Sequence, residues 1–150
     1  MTHAVHATAT TDTSARTELL ARADDTLVRD AAERCLGLLG TPTIITSPET
    51  GIVMMQVREP VVRERFHLGE VVVTRAEVEL AGHRGWAMRQ GADRMAALAA
   101  AICDAAAHAG GEAADCVEQL CADTSEHLAR TERQLCERLA PTVVEFEELD

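Results

Sequence analysis

The sequence predicts an α+β domain: N-terminal helices, a central antiparallel sheet over about residues 43–90, and two C-terminal helices. Three observations carry that expectation. Apolar residues recur at helical spacing before residue 39 and again from 94 to 139. Between them the pattern changes to β-rich runs, one of which alternates with a period of two. Pro42, Pro60, Pro141 and the pair Gly110-Gly111 fall at the boundaries, where helix or ladder must stop.

Residues 1–15 are rich in Thr, Ala and His without periodicity and read as a disordered tail; the single domain is expected over 16–150. A helical pattern starts at Ser14 or Thr17, either of which can cap it, and runs to Leu39. Its stripe is Leu20, Ala23, Leu27, Ala31 and Leu38. Asp24-Asp25-Thr26 divides it, with Thr26 able to start a second helix. Thr43–Thr46 reads as a short strand and Ser47-Pro48-Glu49 as a turn. Gly51 is expected to take a positive φ before a strand ending near Arg58. A charged connection over 59–67 leads to a strand at 69–80. Val72, Thr74, Ala76, Val78 and Leu80 share one face of it, and Arg75, Glu77 and Glu79 the other. A Gly-containing turn at 81–84 makes 85–90 the second arm of a hairpin.

Asp93 is placed to cap a helix from Arg94 to about Ala107, with Met95, Leu98, Ile102 and Ala105 as its stripe. The last helix, about 112–139, carries a narrow seam of Val117, Cys121, Thr124, Leu128, Thr131, Leu135 and Cys136 or Leu139. A narrow seam on an acidic helix suits an interface better than a deep core. Residues 142–146 close the chain as an extended segment with an acidic end.

At 150 residues the chain is long enough to bury a core, but that core is poor in rings: Phe66, Trp86 and Phe146 are its only aromatics. The net charge of −11 is uneven: 4 Arg face 7 acids in residues 1–57, 7 face 6 in 58–94, and 3 face 12 in 95–150. An acidic chain without Lys and almost without rings is not built to track a phosphate backbone or stack bases, so no nucleic-acid partner is expected. No secretory signal or membrane-spanning run is read, so no membrane partner is expected either. The expected location is cytoplasmic, with the five cysteines reduced.

No catalytic constellation emerges from spacing. Cys116 and Cys121 form a C-x4-C pair with only His127 near, against the second pair that zinc needs. His108 follows Cys103 by five positions and misses its helical face. Without Lys or a Gly-rich strand-to-helix turn, the familiar ATP cradles are excluded. Arg58, Arg65, Arg75, Arg84 and Arg89 suggest either a phosphate-binding face or a solvated face paired with interleaved Glu64, Glu70, Glu77 and Glu79. The solvated reading is preferred.

The run Pro48-Glu49-Thr50-Gly51-Ile52-Val53-Met54, with Gln56 and Arg58, resembles the hallmark of the G subunit of the carbon–phosphorus lyase system (PhnG). The resemblance continues at Phe66, Gly69-Glu70, Thr74-Arg75-Ala76, Val78, Gly85, Gly91, Asp93, Ala97 and Asp104-Ala105, and at Val144-Glu145-Phe146. Thr46 and Ala92 stand where arginines are common in the family, and 59–65 lacks a Gly-rich loop.

This resemblance implies a non-catalytic scaffold in a core complex with H, I and J subunits, the nucleosidase-like I subunit in direct contact and ABC-type ATPase subunits associated. It implies no cofactor bound by this chain. The complex would use MgATP and a phosphonate, release adenine, and form alpha-D-ribose 1-(alkyl)phosphonate 5-triphosphate. A later radical step on the J subunit, with an iron–sulfur cluster and S-adenosylmethionine, would break the C–P bond. No catalytic residue is implied here. Glu49, Thr50, Gly51, Gln56, Arg58, Phe66, Gly69, Thr74, Arg75, Asp93 and Asp104 are expected in structural or interface roles. The competing classes are a stand-alone acidic helical adaptor and a small enzyme using an Arg-lined face for a phosphorylated substrate.

Overall fold

A computed structural model describes residues 12–142. The elements run α1 (Thr13–Arg22), α2 (Asp25–Leu39), β1 (Thr43–Arg58), β2 (Arg65–Leu80), β3 (His83–Gln90), α3 (Arg94–Ala109) and α4 (Gly111–Leu139). A 3-10 turn at Ala140–Thr142 follows. The three strands form one antiparallel sheet in the order β1-β2-β3. The expected α+β class and its order of elements hold. The expected tail at 1–11 and the closing segment at 143–146 lie outside the described residues. Residues 13–15, read as part of the tail, are helical.

The break between the first two helices falls where the sequence placed it, but Asp24 makes the cap, not Thr26. Its carboxylate accepts from the backbone N–H of Thr26 (2.9 Å) and Leu27 (3.2 Å). Asp12 precedes α1 without a side-chain cap, so neither Ser14 nor Thr17 starts that helix. Asp93 caps α3 as read, accepting from Ala96 N–H at 2.9 Å. That bond, with a smaller contribution from the Arg29 guanidinium, holds the Asp93 carboxyl below its usual range.

The largest departure is β1. The turn expected at Ser47-Pro48-Glu49 is absent, and one strand of 16 residues runs through it. Pro48 lies in a register shift between Thr46 and Glu49, one of three such irregularities along the β1–β2 ladder. Proline has no N–H to donate, and an edge strand with a bulge is where a sheet tolerates it. Gly51 therefore sits inside the strand opposite Val73, without a positive φ. A Cβ built on it meets nothing within 4 Å. Gly51→Val is accordingly expected to shift the isolated domain's stability by no more than about 0.5 kcal/mol, the usual range for surface changes. A lowering of the urea midpoint by several times that amount would contradict this placement.

β2 begins at Arg65, four residues before the expected start. Its even positions Thr74, Ala76, Val78 and Leu80 are buried, as their alternation required, whereas Val72 stays 46 % exposed. α3 packs on that buried face and also contacts the other three helices. The expected stripe of α3 understated this: Met95 is 62 % exposed, while Ala96, Ala97 and the run Ala99–Ala106 are buried. A helix buried on nearly all sides reads as apolar all round, and its alanines allow both layers to approach closely. Among the described residues no buried hydrophobic side chain is larger than Leu, consistent with the scarcity of rings.

Candidate functional site

β3 pairs with β2 only over Val73–Leu80. Beyond that point β1 and β2 continue together, with Ile52–Arg58 opposite Arg65–Val72, as a ribbon with no third strand among the described residues. Eight residues of strand span about 25 Å. Ile52 (63 %), Met54 (66 %) and Leu68 (57 %) are exposed along it, with Val61 and Val62 at its tip. Ile52 and Met54 alternate with Val53 and Met55, which are also exposed, so both faces of the ribbon are apolar. A two-stranded ribbon is marginally stable in water by itself, and contiguous apolar surface of this kind marks an interaction site.

The root of the ribbon gathers several residues singled out in the sequence. Glu49, Thr50, Gly51 and Arg75 border a shallow depression of about 390 Å³ beside Met88. Glu49 accepts from the Arg75 guanidinium at 2.5 Å across the strand pair, with both side chains 54 % exposed. Exposed pairs of this kind contribute about 0–1 kcal/mol. The hydroxyls of Thr50 and Thr74 lie 3.0 Å apart, and Thr74 donates to the Gly91 carbonyl at 2.8 Å. Gly91, at φ +95°, returns its N–H to the Val72 carbonyl and closes the sheet where the third strand ends. Gln56, Arg58, Phe66 and Gly69 lie farther out on the ribbon; Gln56 faces His67, Arg58 faces Arg65, and Met55 faces Gly69.

Asp93 and Asp104 stand apart from this site. Asp104, buried on α3, accepts from Arg16 Nε (3.2 Å) and from Trp86 N–H (3.1 Å). It ties α1 and β3 to the central helix. Arginine has no acceptor, so Arg16 donates to His108 Nε2 at 2.9 Å. That occupies the histidine nearest Cys103 in sequence.

The five arginines do not share one face. Arg89 lies on the buried side opposite Arg16's helix and donates to the carbonyls of Leu20 and Ala23 and to Asp25. It caps the end of α1 from within. Arg75 and Arg84 are on the open side, paired with Glu49 and Glu77. One of the five arginines is thus taken by a helix end, a use that no spacing rule shows.

Reactive thiols offer no better site. A hydrogen bond from Cys103 brings Cys35 down to about 7, but Cys35 is fully buried among helices. Burial pushes Cys121 up to about 11. The ribbon itself does not stand out in the sequence, where β2 reads as starting at Gly69 and 59–67 as a connection. The signal was present in Phe66 and Leu68, apolar residues on either side of His67. The interface that the sequence suggests is the seam of α4. Its first half is packed, with Val117, Leu120, Cys121 and Thr124 buried, whereas Leu135 and Leu139 are half-exposed.

Comparison with known proteins agrees with this motif-bearing core. The family described as phosphonate metabolism protein PhnG matches residues 12–149. A relative from Rhizobium meliloti (strain 1021), named alpha-D-ribose 1-methylphosphonate 5-triphosphate synthase subunit PhnG, is 35 % identical over 103 residues. That alignment covers 68 % of this chain and 65 % of the relative, so the chain spans just under two thirds of the relative's length. With all of the described residues inside the match, the chain belongs to the PhnG family of phosphonate metabolism proteins.

Proposed function

We propose that this chain is a non-catalytic scaffold subunit of a cytoplasmic carbon–phosphorus lyase core complex, assembled with H, I and J subunits. The β1–β2 ribbon is its docking element, with the I subunit as direct contact and ABC-type ATPase subunits recruited to the assembly. The complex converts MgATP and a phosphonate to alpha-D-ribose 1-(alkyl)phosphonate 5-triphosphate with release of adenine. MgATP is the complex's substrate and is not held by this chain. The relative's name as a synthase subunit supports the assignment to such a complex.

The observation that carries the scaffold reading is the bare ribbon, apolar on both faces and ending the pairing of an edge strand. A two-sided apolar ribbon suits insertion between elements of a partner, which would remove both faces from water. Against a catalytic role, Arg75, Arg84 and Arg89 are engaged within the chain, and the one depressed thiol is sealed in the core. Among the described residues no third strand covers the ribbon edges, so the chain expressed alone should self-associate through them.

The test is co-purification of Ile52→Asp/Met54→Asp with the I subunit, beside light scattering of the chain alone. The variant is expected to lose most of the co-purified partner, keep its helical circular dichroism, and self-associate less. Recovery of the partner at the wild-type level would remove the ribbon from the interface. A wild-type chain that is monomeric and unfolds cooperatively alone would remove the need for a partner.

A further inference from the structure

The helical layer carries a second unfilled surface, separate from the ribbon. Three depressions of about 540, 620 and 250 Å³ run together between α2 and α4. The first two share Arg34 and Gln119, and the last two share Leu27 and Asp123, so they form one groove. Leu27 and Leu38 form its apolar ridge at 48 % and 46 % exposure, with buried Leu120 beneath. Both leucines belong to the helical stripe of α2, yet the core took Val28, Ala31, Ala32 and Cys35 instead. Eleven residues of helix separate them by about 16 Å, three turns of a facing helix.

The walls are acidic. Asp24, Asp30 and Glu33 on the α2 side face Glu112, Asp115 and Asp123 on the α4 side. Among the described residues none of the six is in an ion pair, and the groove's basic residues are Arg34, Arg22 and His127. Arg22 is already paired with Glu18. Elsewhere on this chain, exposed Glu49 and Glu126 and half-buried Glu77 each hold an arginine. An apolar floor between two rows of carboxylates free of ion pairs, of which Asp24 also caps α2 and Asp123 accepts from Gln119, has a definite complement: a helix with leucine-type residues on one stripe and cations on both flanks.

We propose that the α2–α4 groove receives a basic amphipathic helix of about four turns from a partner protein. Its apolar stripe would cover Leu27 and Leu38, and its Arg or Lys flanks would meet the six carboxylates. This goes beyond the ribbon contact and does not depend on it. The groove lies on α2 and α4, neither of which the ribbon variant alters.

The probe is a fluorescein-labelled synthetic peptide of about 14 residues, with leucines at helical spacing and arginines and lysines on the flanks, titrated into the full chain by anisotropy. Saturable one-to-one binding is expected. Asp30→Arg/Asp123→Arg should weaken it about tenfold or more, and Leu27→Ser/Leu38→Ser by a similar factor. Glu132→Arg/Glu137→Arg, which changes net charge equally on the exposed end of α4, should leave it within about twofold. A peptide with the same leucines and glutamate flanks should not bind. Equal weakening by both charge-reversed pairs would reduce the effect to net charge and overturn the proposal. Unaltered binding by the leucine variant, saturable binding of the glutamate peptide, or no saturable binding of the basic one would each overturn it as well.

Discussion

Gly85→Ala is expected to destabilise this domain more than any other single methyl group added to it. A Cβ at Gly85 would stand 2.1 Å from the Ala101 carbonyl oxygen, 2.3 Å from Ala105 N and 2.7 Å from Ala105 Cβ. Two of these three atoms are backbone of α3, so no rotamer change relieves the clash. Either α3 lifts off β3 or the strand bends. Overpacking in cores costs about 1–3 kcal/mol when side chains can adjust, and here the whole helix must move, so about 3 kcal/mol or more is expected. Urea unfolding of Gly85→Ala beside Gly51→Val gives the comparison. A midpoint for Gly85→Ala close to wild type would mean that α3 is not seated against β3 in this way.

Asp104→Ala is expected to cost about 3–5 kcal/mol, the range for removing one partner of a buried ion pair. The loss leaves Arg16, 8 % exposed, without its carboxylate, and the Trp86 N–H without an acceptor. Asp104→Asn keeps one oxygen acceptor and should cost less. Replacing both charged residues, as Arg16→Met/Asp104→Leu, should recover part of the loss, because the isolated buried charge is then gone. Thermal unfolding of the three variants settles the point. A double variant no more stable than Asp104→Ala would show that the penalty comes from packing or from Trp86 and not from the stranded guanidinium.

Both predictions concern residues picked out in the sequence by resemblance alone. The sequence puts Gly85 at the start of the hairpin's second arm, just after the turn at 81–84, and nothing in the pattern around it marks a glycine pressed against a helix. The register opposite Val78 decides the matter, because it aims that position at α3. Asp104 looked like any polar residue on a helix of alanines. Its role depends on Arg16, 88 positions away.

Local pattern was enough to settle the kinds and order of the elements. Periods of 3.6 and 2 are properties of a residue's own neighbours, and so are caps and turns. Asp93 could be read as a cap because its bond reaches only three residues ahead. The buried face of β2 could be read because alternation names it. Tertiary structure decided which faces were covered. Pro48 became a bulge and not a turn because β1 is an edge strand with β2 to pair with. Arg89 went inward because the end of α1 arrived with carbonyls to satisfy. Leu27 and Leu38 stayed half-exposed because α3 met the other side of α2, and the ribbon stayed bare because β3 ends at Gln90. These outcomes depend on contacts between segments far apart in the chain, which local periodicity does not encode. They left the ribbon and the groove uncovered.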